Sequence, residues 1–392
     1  MQKISKIAKR YLYTASLFLV TSMFCASVTQ AQQLCGTDGS VVKSDDIYTM
    51  AVLGNTRPAF KQDAMTGKIG QSKGVFTHLS TDIVKTHPQC VVLVGDMVPG
   101  ASAKNWKKFQ SAMSVFQDTP IQPVMGDMEA LKDEKYLQTQ SVFPEMGTDI
   151  GYNRVGSWDY FDVQSKDTTW RIMTLDANKT ILKSRWNEQL LWIDEAIKGE
   201  YDAMIIFVHL PWYNLAGSNP QMNPDDAPRE LITYVEESLG MMKLKAVVFG
   251  GGHANQVIMP DGAFGTLYVG AGGGGAPAED LYLWQPGFEH NMTKKIELEK
   301  TFRQVLLKEV DRWNSQSPLS ASTMDKAFNT GTYKDFPGLI EGSQFPIQGW
   351  WELIIDGGYM GFLYHQYYQN ESLNVIYRIT YSEQGGWIPK IP

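Results

Sequence analysis

The sequence predicts an α/β fold in which sheet strands are covered by helices and antiparallel strands are added at the C-terminal end. Two observations predict it. Through the first two-thirds of the 392 residues, short apolar runs alternate with segments whose apolar residues recur at helical spacing. Near the end, two strand-like runs flank Asp356-Gly357-Gly358, a strong hairpin signal.

The elements follow in chain order. Lys3, Lys6, Lys9 and Arg10 precede an uncharged apolar run over 11–28, and Thr29-Gln30-Ala31 places small residues at a cleavage spacing. Residues 1–31 therefore read as a secretory signal peptide, and the mature chain as secreted or periplasmic. Later stretches are too short or too polar to span a bilayer, so no membrane span is expected. Strands are expected at 47–53, 90–94, 121–125, 158–163, 171–175, 204–208 and 246–249. Helices are expected around Val75, Phe76, Leu79 and Ile83, and around Trp106, Phe109, Met113 and Phe116. A third is expected with Leu190, Leu191 and Ile197 on one face, and a fourth over 231–239. The span 291–313 reads as helix, and 315–348 shows no period. Strands at 351–355, 359–364 and 374–381 close the chain. The expected organisation is a domain over 32–290, a helical and irregular insertion over 291–348, and strands over 349–392 that complete the domain.

Composition narrows the function. Hydrophobic residues at 43% and charged residues at 20% are globular values. The net charge of −7 becomes about −11 once the four basic residues of the leader are removed. A chain this acidic lacks the basic face that general nucleic-acid binding needs, so no nucleic-acid partner is expected. Cys35 and Cys90 remain after the leader, in a compartment that permits a disulfide; spacing alone leaves pairing and two separate thiols equally open.

In open α/β sheets, ligands gather at the loops that follow the carboxyl ends of strands. Five apolar strands here run into compact polar tips: Gly54-Asn55-Thr56-Arg57, Gly95-Asp96, Gly126-Asp127-Met128-Glu129, His209-Leu210-Pro211 and Gly252-His253-Ala254-Asn255. Two carboxylates and two imidazoles suit a borderline divalent ion: zinc, manganese or iron. Each of these residues alone reads more simply as a helix cap or a structural histidine; the order and the strand contexts lift the reading. No Ser-His-Asp order, phosphate-binding P-loop or paired-cysteine zinc pattern is present.

This series of tips resembles the five motifs of the calcineurin-like metallophosphoesterases: D-x-H, G-D, G-N-H-D/E, H and G-H-x-H. The resemblance covers about residues 47–275. It implies a four-layer β-sandwich flanked by helices and hydrolysis of phosphate esters at a pair of metal ions. It also implies which residues hold each ion, and there the sequence departs from the pattern. The first site meets Asn55, Arg57 and Asn255 where the family has metal ligands, and keeps only the shared Asp96. The second keeps Asp96, His209 and His253, with Asp127 in place of Asn. Met128 stands where the family has the histidine linked to leaving-group protonation.

One metal set, Asp96, Asp127, His209 and His253, is thus whole. Asp96, Asp127 and Arg57 are the expected catalytic residues. Arg57, Asn55, Trp212 and Asn255 are the expected contacts to a small phosphate-ester ligand. Arg57 carries two readings: a clamp on phosphate oxygens in place of the missing cation, or a partner of Asp96 or Asp127 that holds an empty site shut. Gly272–Gly275 reads as an anion nest or, more simply, as a tight turn that lets strands pack. Three functional readings follow: a specialised one-metal phosphoesterase, an inactive relative that binds a phosphate-bearing ligand or a partner, and an extracellular structural protein on the same scaffold.

Overall fold

The computed structural model describes residues 33–36, 41–44, 47–57, 75–116, 118–131, 136–144, 154–155, 157–212, 227–239, 243–253, 255–258, 265–275, 348–368, 371–382 and 386–389. The expected leader over 1–31 and the expected insertion over 291–348, apart from Gln348, lie outside them. The strands are β1 (Val41–Ser44), β2 (Tyr48–Leu53), β3 (Cys90–Val94), β4 (Ile121–Val124), β5 (Arg154–Val155), β6 (Trp158–Ser165), β7 (Thr168–Leu175), β8 (Ala203–Val208), β9 (Leu244–Phe249), β10 (Asn255–Ile258) and β11 (Leu267–Ala271). They continue with β12 (Gly349–Asp356), β13 (Tyr359–Tyr368), β14 (Glu371–Ser382) and β15 (Gly386–Pro389). The helices are α1 (Val75–Lys85), α2 (Ala103–Met113), α3 (Asp127–Ala130), α4 (Leu137–Val142), α5 (Lys179–Leu182), α6 (Arg185–Ala196) and α7 (Ala227–Leu239).

Two sheets form. One runs β1-β6-β7-β8-β9-β11-β10, with β5 paired to β6; the other runs β15-β14-β13-β12-β2-β3-β4. Their central strands are parallel, β7 through β8 and β9 to β11 in one and β2 through β3 to β4 in the other. Strands of this kind are buried on both faces, which is why they read as continuous apolar runs. Alternate residues then go to different cores. Met50, Val52, Val92, Phe207 and Val248 fill the layer that also takes in Leu353 and Phe362 of the added strands. Ala51, Leu53, Leu93, Ile206 and Phe249 join the second core, with helix residues such as Phe76, Trp106, Trp192 and Leu231. The expected layered α/β sandwich with a C-terminal antiparallel addition is therefore the observed fold.

The addition is integral to the sheet. β12 pairs antiparallel with β2, directly beside the parallel strands, and β13 to β15 follow in turn. The Asp356-Gly357-Gly358 hairpin docks on the opposite sheet: the Trp170 indole donates to the Gly357 carbonyl at 2.8 Å, and the Gly357 N–H donates to Ser165 Oγ at 2.9 Å. Trp351 likewise donates to the Gly270 carbonyl at 2.9 Å. Cys35 and Cys90 form a disulfide that ties the segment before β1 to β3.

Two expectations need correction. Leu191 is 67% exposed; the buried stripe of α6 is Trp186, Gln189, Trp192, Ile193 and Ala196, because the two large indoles set which face turns inward. The helix through Phe116 ends at Met113 and continues as a single 3₁₀ turn, Ser114–Phe116. The strands β1, β5, β10 and β15 were not anticipated. They are four residues or fewer, too short for a period to show.

Candidate functional site

The parallel strands of both sheets end at one edge of the sandwich, and their tips meet there. The approach is close. The Gly54 N–H donates to the Ala271 carbonyl at 2.6 Å, and the Gly274 N–H donates to the Gly54 carbonyl at 2.8 Å. A Cβ built on Gly250 would lie 1.9 Å from the Val94 oxygen, and one on Gly95, whose φ is +72°, would lie 2.2 Å from His209 Nδ1. Only glycine lets these tips come together. The Gly272–Gly275 run serves this strand packing: Gly273 and Gly274 are bonded to Gly349 and Gly54. Asn55, Asp96 and His253 all hold left-handed backbone, with φ of 53°, 53° and 48°. Such conformations collect at sites where a side chain must be aimed against local preference.

Asp96 follows β3, Asp127 opens α3 and His209 follows β8. Each offers one donor atom, and the three atoms lie within 4.8 Å of one another. His209 Nε2 is 3.4 Å from Asp96 Oδ1 and 3.4 Å from Asp127 Oδ1. The other ring nitrogen, Nδ1, donates to the Val94 carbonyl at 2.9 Å. That bond fixes the ring and turns Nε2 toward the carboxylates, as in histidines that bind metals. Asp96 and His209 are buried, whereas the Asp127 side chain is 53% exposed.

The electrostatics of this cluster call for a cation. Burial and the Asp127 charge push the Asp96 carboxyl up to about 6. Partial desolvation acts to raise Asp127 as well, but the His209 imidazole 3.4 Å away outweighs it and leaves that carboxyl well below its usual range. Burial lowers the His209 imidazole, and the Asp96 and Asp127 charges more than reverse this, to about 9. The two carboxylates thus favour positive charge at the point where His209 Nε2 faces them. A donor set of two carboxylates and an imidazole, already oriented, fits a divalent ion of the zinc, manganese or iron class.

A cavity of about 380 Å³ opens onto the cluster. Arg57, Asp96, Asp127, Met128, His209 and His253 line it, and so do Leu210, Gly251 and the segment Ala177, Asn178 and Thr180. His253 thus shares the cavity but is not part of the close cluster of three. Arg57 is buried, with Nε 3.3 Å from Asp96 Oδ2. The remaining sequence candidates lie elsewhere. Asn55 turns its amide to the carbonyls of Gly250 and Gly272. The Asn255 amide donates to the Tyr364 hydroxyl at 3.1 Å. Trp212 packs edge-on against Tyr268, and Leu210 rather than Trp212 forms the cavity wall. For Asn55, Asn255 and Trp212, expected as ligand contacts, the reason is the same: nearby backbone or aromatic partners claim the side chain.

Two groups escaped the sequence reading. Glu129 is fully buried, and its carboxylate accepts backbone N–H bonds from Asp96 at 2.9 Å, Met97 at 2.7 Å, Val98 at 3.2 Å and Gly126 at 2.9 Å. It clamps the Asp96 tip to the Asp127 tip. Burial and the Asp96 charge push it up to about 7, against the pull of those donors. The available signal was an acid three residues after a strand-ending glycine, the spacing at which a helix N3 side chain reaches back to the N-cap. The second is Asp176-Ala177-Asn178 after β7. It is a further strand running into a polar tip, without the glycine that marked most of the others.

No family model matches the chain, and no curated protein matches it. Solved structures similar to it include a purple acid phosphatase from yellow lupin (Lupinus luteus) seeds, at 12% identity and TM-score 0.49 over 86% of this chain and 54% of that one. The chain thus spans about half the length of the lupin protein. Another is GAP50, the anchor in the inner membrane complex of Plasmodium, at 14% identity and TM-score 0.46, covering 84% of this chain and 89% of that one. A third is a dimetal phosphatase from Danio rerio, at 13% identity and TM-score 0.41, covering 58% and 87%. Similarity this distant transfers no activity and no ligand.

Proposed function

We propose that this chain is an exported phosphoesterase-like hydrolase that acts on small phosphate esters with a single divalent ion and a reduced set of catalytic groups. The orientation of His209 carries the reading: Nδ1 is committed to the Val94 carbonyl, and Nε2 is aimed between two carboxylates. Asp96, Asp127 and His209 would hold zinc, manganese or iron, with His253 as a fourth donor from the same cavity. An ion bound there would offset phosphoryl charge and acidify a water molecule.

The rest falls to side chains. Arg57 lies beside Asp96 and lines the cavity, where its planar donors suit the non-bridging oxygens of a phosphate. Asp127, half exposed and strongly ionised, can accept a hydrogen bond from an incoming water and orient it. Met128 has no proton to give, so the leaving alcohol departs as an anion. Esters of acidic alcohols are therefore the favoured substrates.

Purified mature protein exposed to zinc, manganese or iron should retain about one equivalent and lose it in His253→Ala. It should hydrolyse an aryl phosphate, and Asp96→Ala should abolish the reaction. Arg57→Ala should weaken phosphate binding by about tenfold or more. Protein that holds no metal overturns the reading. A second reading, ligand binding without turnover, is favoured by Met128 and by the Arg57–Asp96 pair; phosphate binding with no hydrolysis of monoester or diester would select it.

A further inference from the structure

The cavity has a wall that the metal cluster does not use. Asn178 lies in it, 5% exposed, in the tip after β7. Its side-chain amide has one end occupied. Nδ2 donates to Asp176 Oδ1 at 2.8 Å, and the Asn178 backbone N–H donates to the same oxygen at 3.0 Å. Asp176 is in turn fixed. It is fully buried, Tyr136 donates to its Oδ2 at 2.9 Å, and its backbone N–H donates to Gln189 Oε1 at 2.8 Å.

A carboxylate accepts and does not donate, so Asp176 decides which end of the Asn178 amide faces it. The NH₂ group turns to Asp176, and the carbonyl oxygen Oδ1 points the other way. Among the described residues no donor reaches Oδ1, although the side chain is more than nine-tenths buried and borders the cavity. Thr180 adds a hydroxyl to the same wall.

We propose that Asn178 is a specificity residue: its Oδ1, held by Asp176, accepts a hydrogen bond from a hydroxyl or amine on the alcohol portion of the phosphate ester. This rests on the reading of the site given above. The oxygens of a fully ionised phosphoryl group only accept, so Oδ1 disfavours them and is suited to a donor elsewhere on the ligand. Its fit is to a donor on the leaving group, which makes phosphate esters whose alcohol carries a further hydroxyl or an amine the ligand class; glycerol 3-phosphate serves as a binding probe for that donor. An alkyl phosphate without a donor would leave Oδ1 dehydrated and unbonded, which is costly in a buried wall.

The test is calorimetric binding to the zinc-loaded mature protein of inorganic phosphate, glycerol 3-phosphate and n-propyl phosphate, which differ in the donors on the alcohol. Wild type should prefer glycerol 3-phosphate to n-propyl phosphate by about tenfold. In Asn178→Ala the preference should fall to about twofold or less, with inorganic phosphate affinity unchanged. Circular dichroism and thermal melting check that the variant is folded, and the wild-type ligand series stands without it. Phosphate binding with equal affinity for the two esters overturns this proposal alone. Failure to bind phosphate at all overturns the underlying site reading and this proposal with it.

Discussion

His209 donates its Nδ1 proton to the carbonyl oxygen of Val94 at 2.9 Å, and in doing so joins the tip of β8 in one sheet to the tip of β3 in the other. The bond does two jobs. It brings both sheets to one edge, and it leaves Nε2 facing Asp96 and Asp127. On the function proposed above, metal affinity and sheet packing are coupled at this histidine.

Gly95 tests the coupling. Its φ is +72°, and a Cβ there would meet His209 Nδ1 at 2.2 Å. Gly95→Ala should push the ring off the Val94 carbonyl. The expected result is a loss of zinc affinity of about 10–100-fold, the usual effect of disturbing the support of a metal ligand. Competition with a chromophoric chelator measures it.

Glu129→Gln addresses the clamp. The carboxylate serves four backbone N–H donors, and a glutamine amide must turn its own NH₂ toward one donor pair. Unfolding by urea should show a loss of roughly 2–4 kcal/mol. Zinc affinity should fall as well, because the Asp96 and Asp127 tips lose their common anchor.

The disulfide spans 55 residues of sequence. Cys35→Ser combined with Cys90→Ser should lower stability by roughly 2–4 kcal/mol, through the loop entropy restored to the unfolded chain. Wild type in reductant should match the double variant in the same assay.

Asp176 gives a pH signature. Burial raises its carboxyl above the ordinary 3.8, although the nearby Ser157 hydroxyl and hydrogen bonds from Asn178 and Tyr136 oppose the shift. The folded state then holds this proton more tightly than the unfolded chain. Its contribution is full below 3.8 and is lost as pH rises through the raised value. Asp176→Asn should remove that slope, so its stability relative to wild type should improve from pH 4 toward neutrality. Equal slopes in the two proteins would contradict the shifted carboxyl.

The alternation of apolar runs was enough to place the central strands β2, β3, β4, β7, β8 and β9, because strands buried on both faces must be apolar throughout. The tips were legible for a related reason: a polar residue straight after such a run, often behind a glycine, has few other uses. Asp96, Asp127 and His209 were accessible in this way, and the structure brings their donor atoms together. Side-chain direction was not accessible. Asn55, Asn255 and Trp212 sit at the right tips, but each is claimed by a neighbour distant in sequence: Gly250, Tyr364 and Tyr268. The Glu129 clamp and the Asp176–Asn178 pair were hidden likewise, since their partners lie up to 42 residues away. By itself the sequence determined which strands are buried and which polar residues end them, since both are local consequences of hydrophobic burial. Only the tertiary structure decided which of those residues share a cavity and which way each one faces. Close approach between two sheets and competition for hydrogen-bond partners are properties of the packed chain.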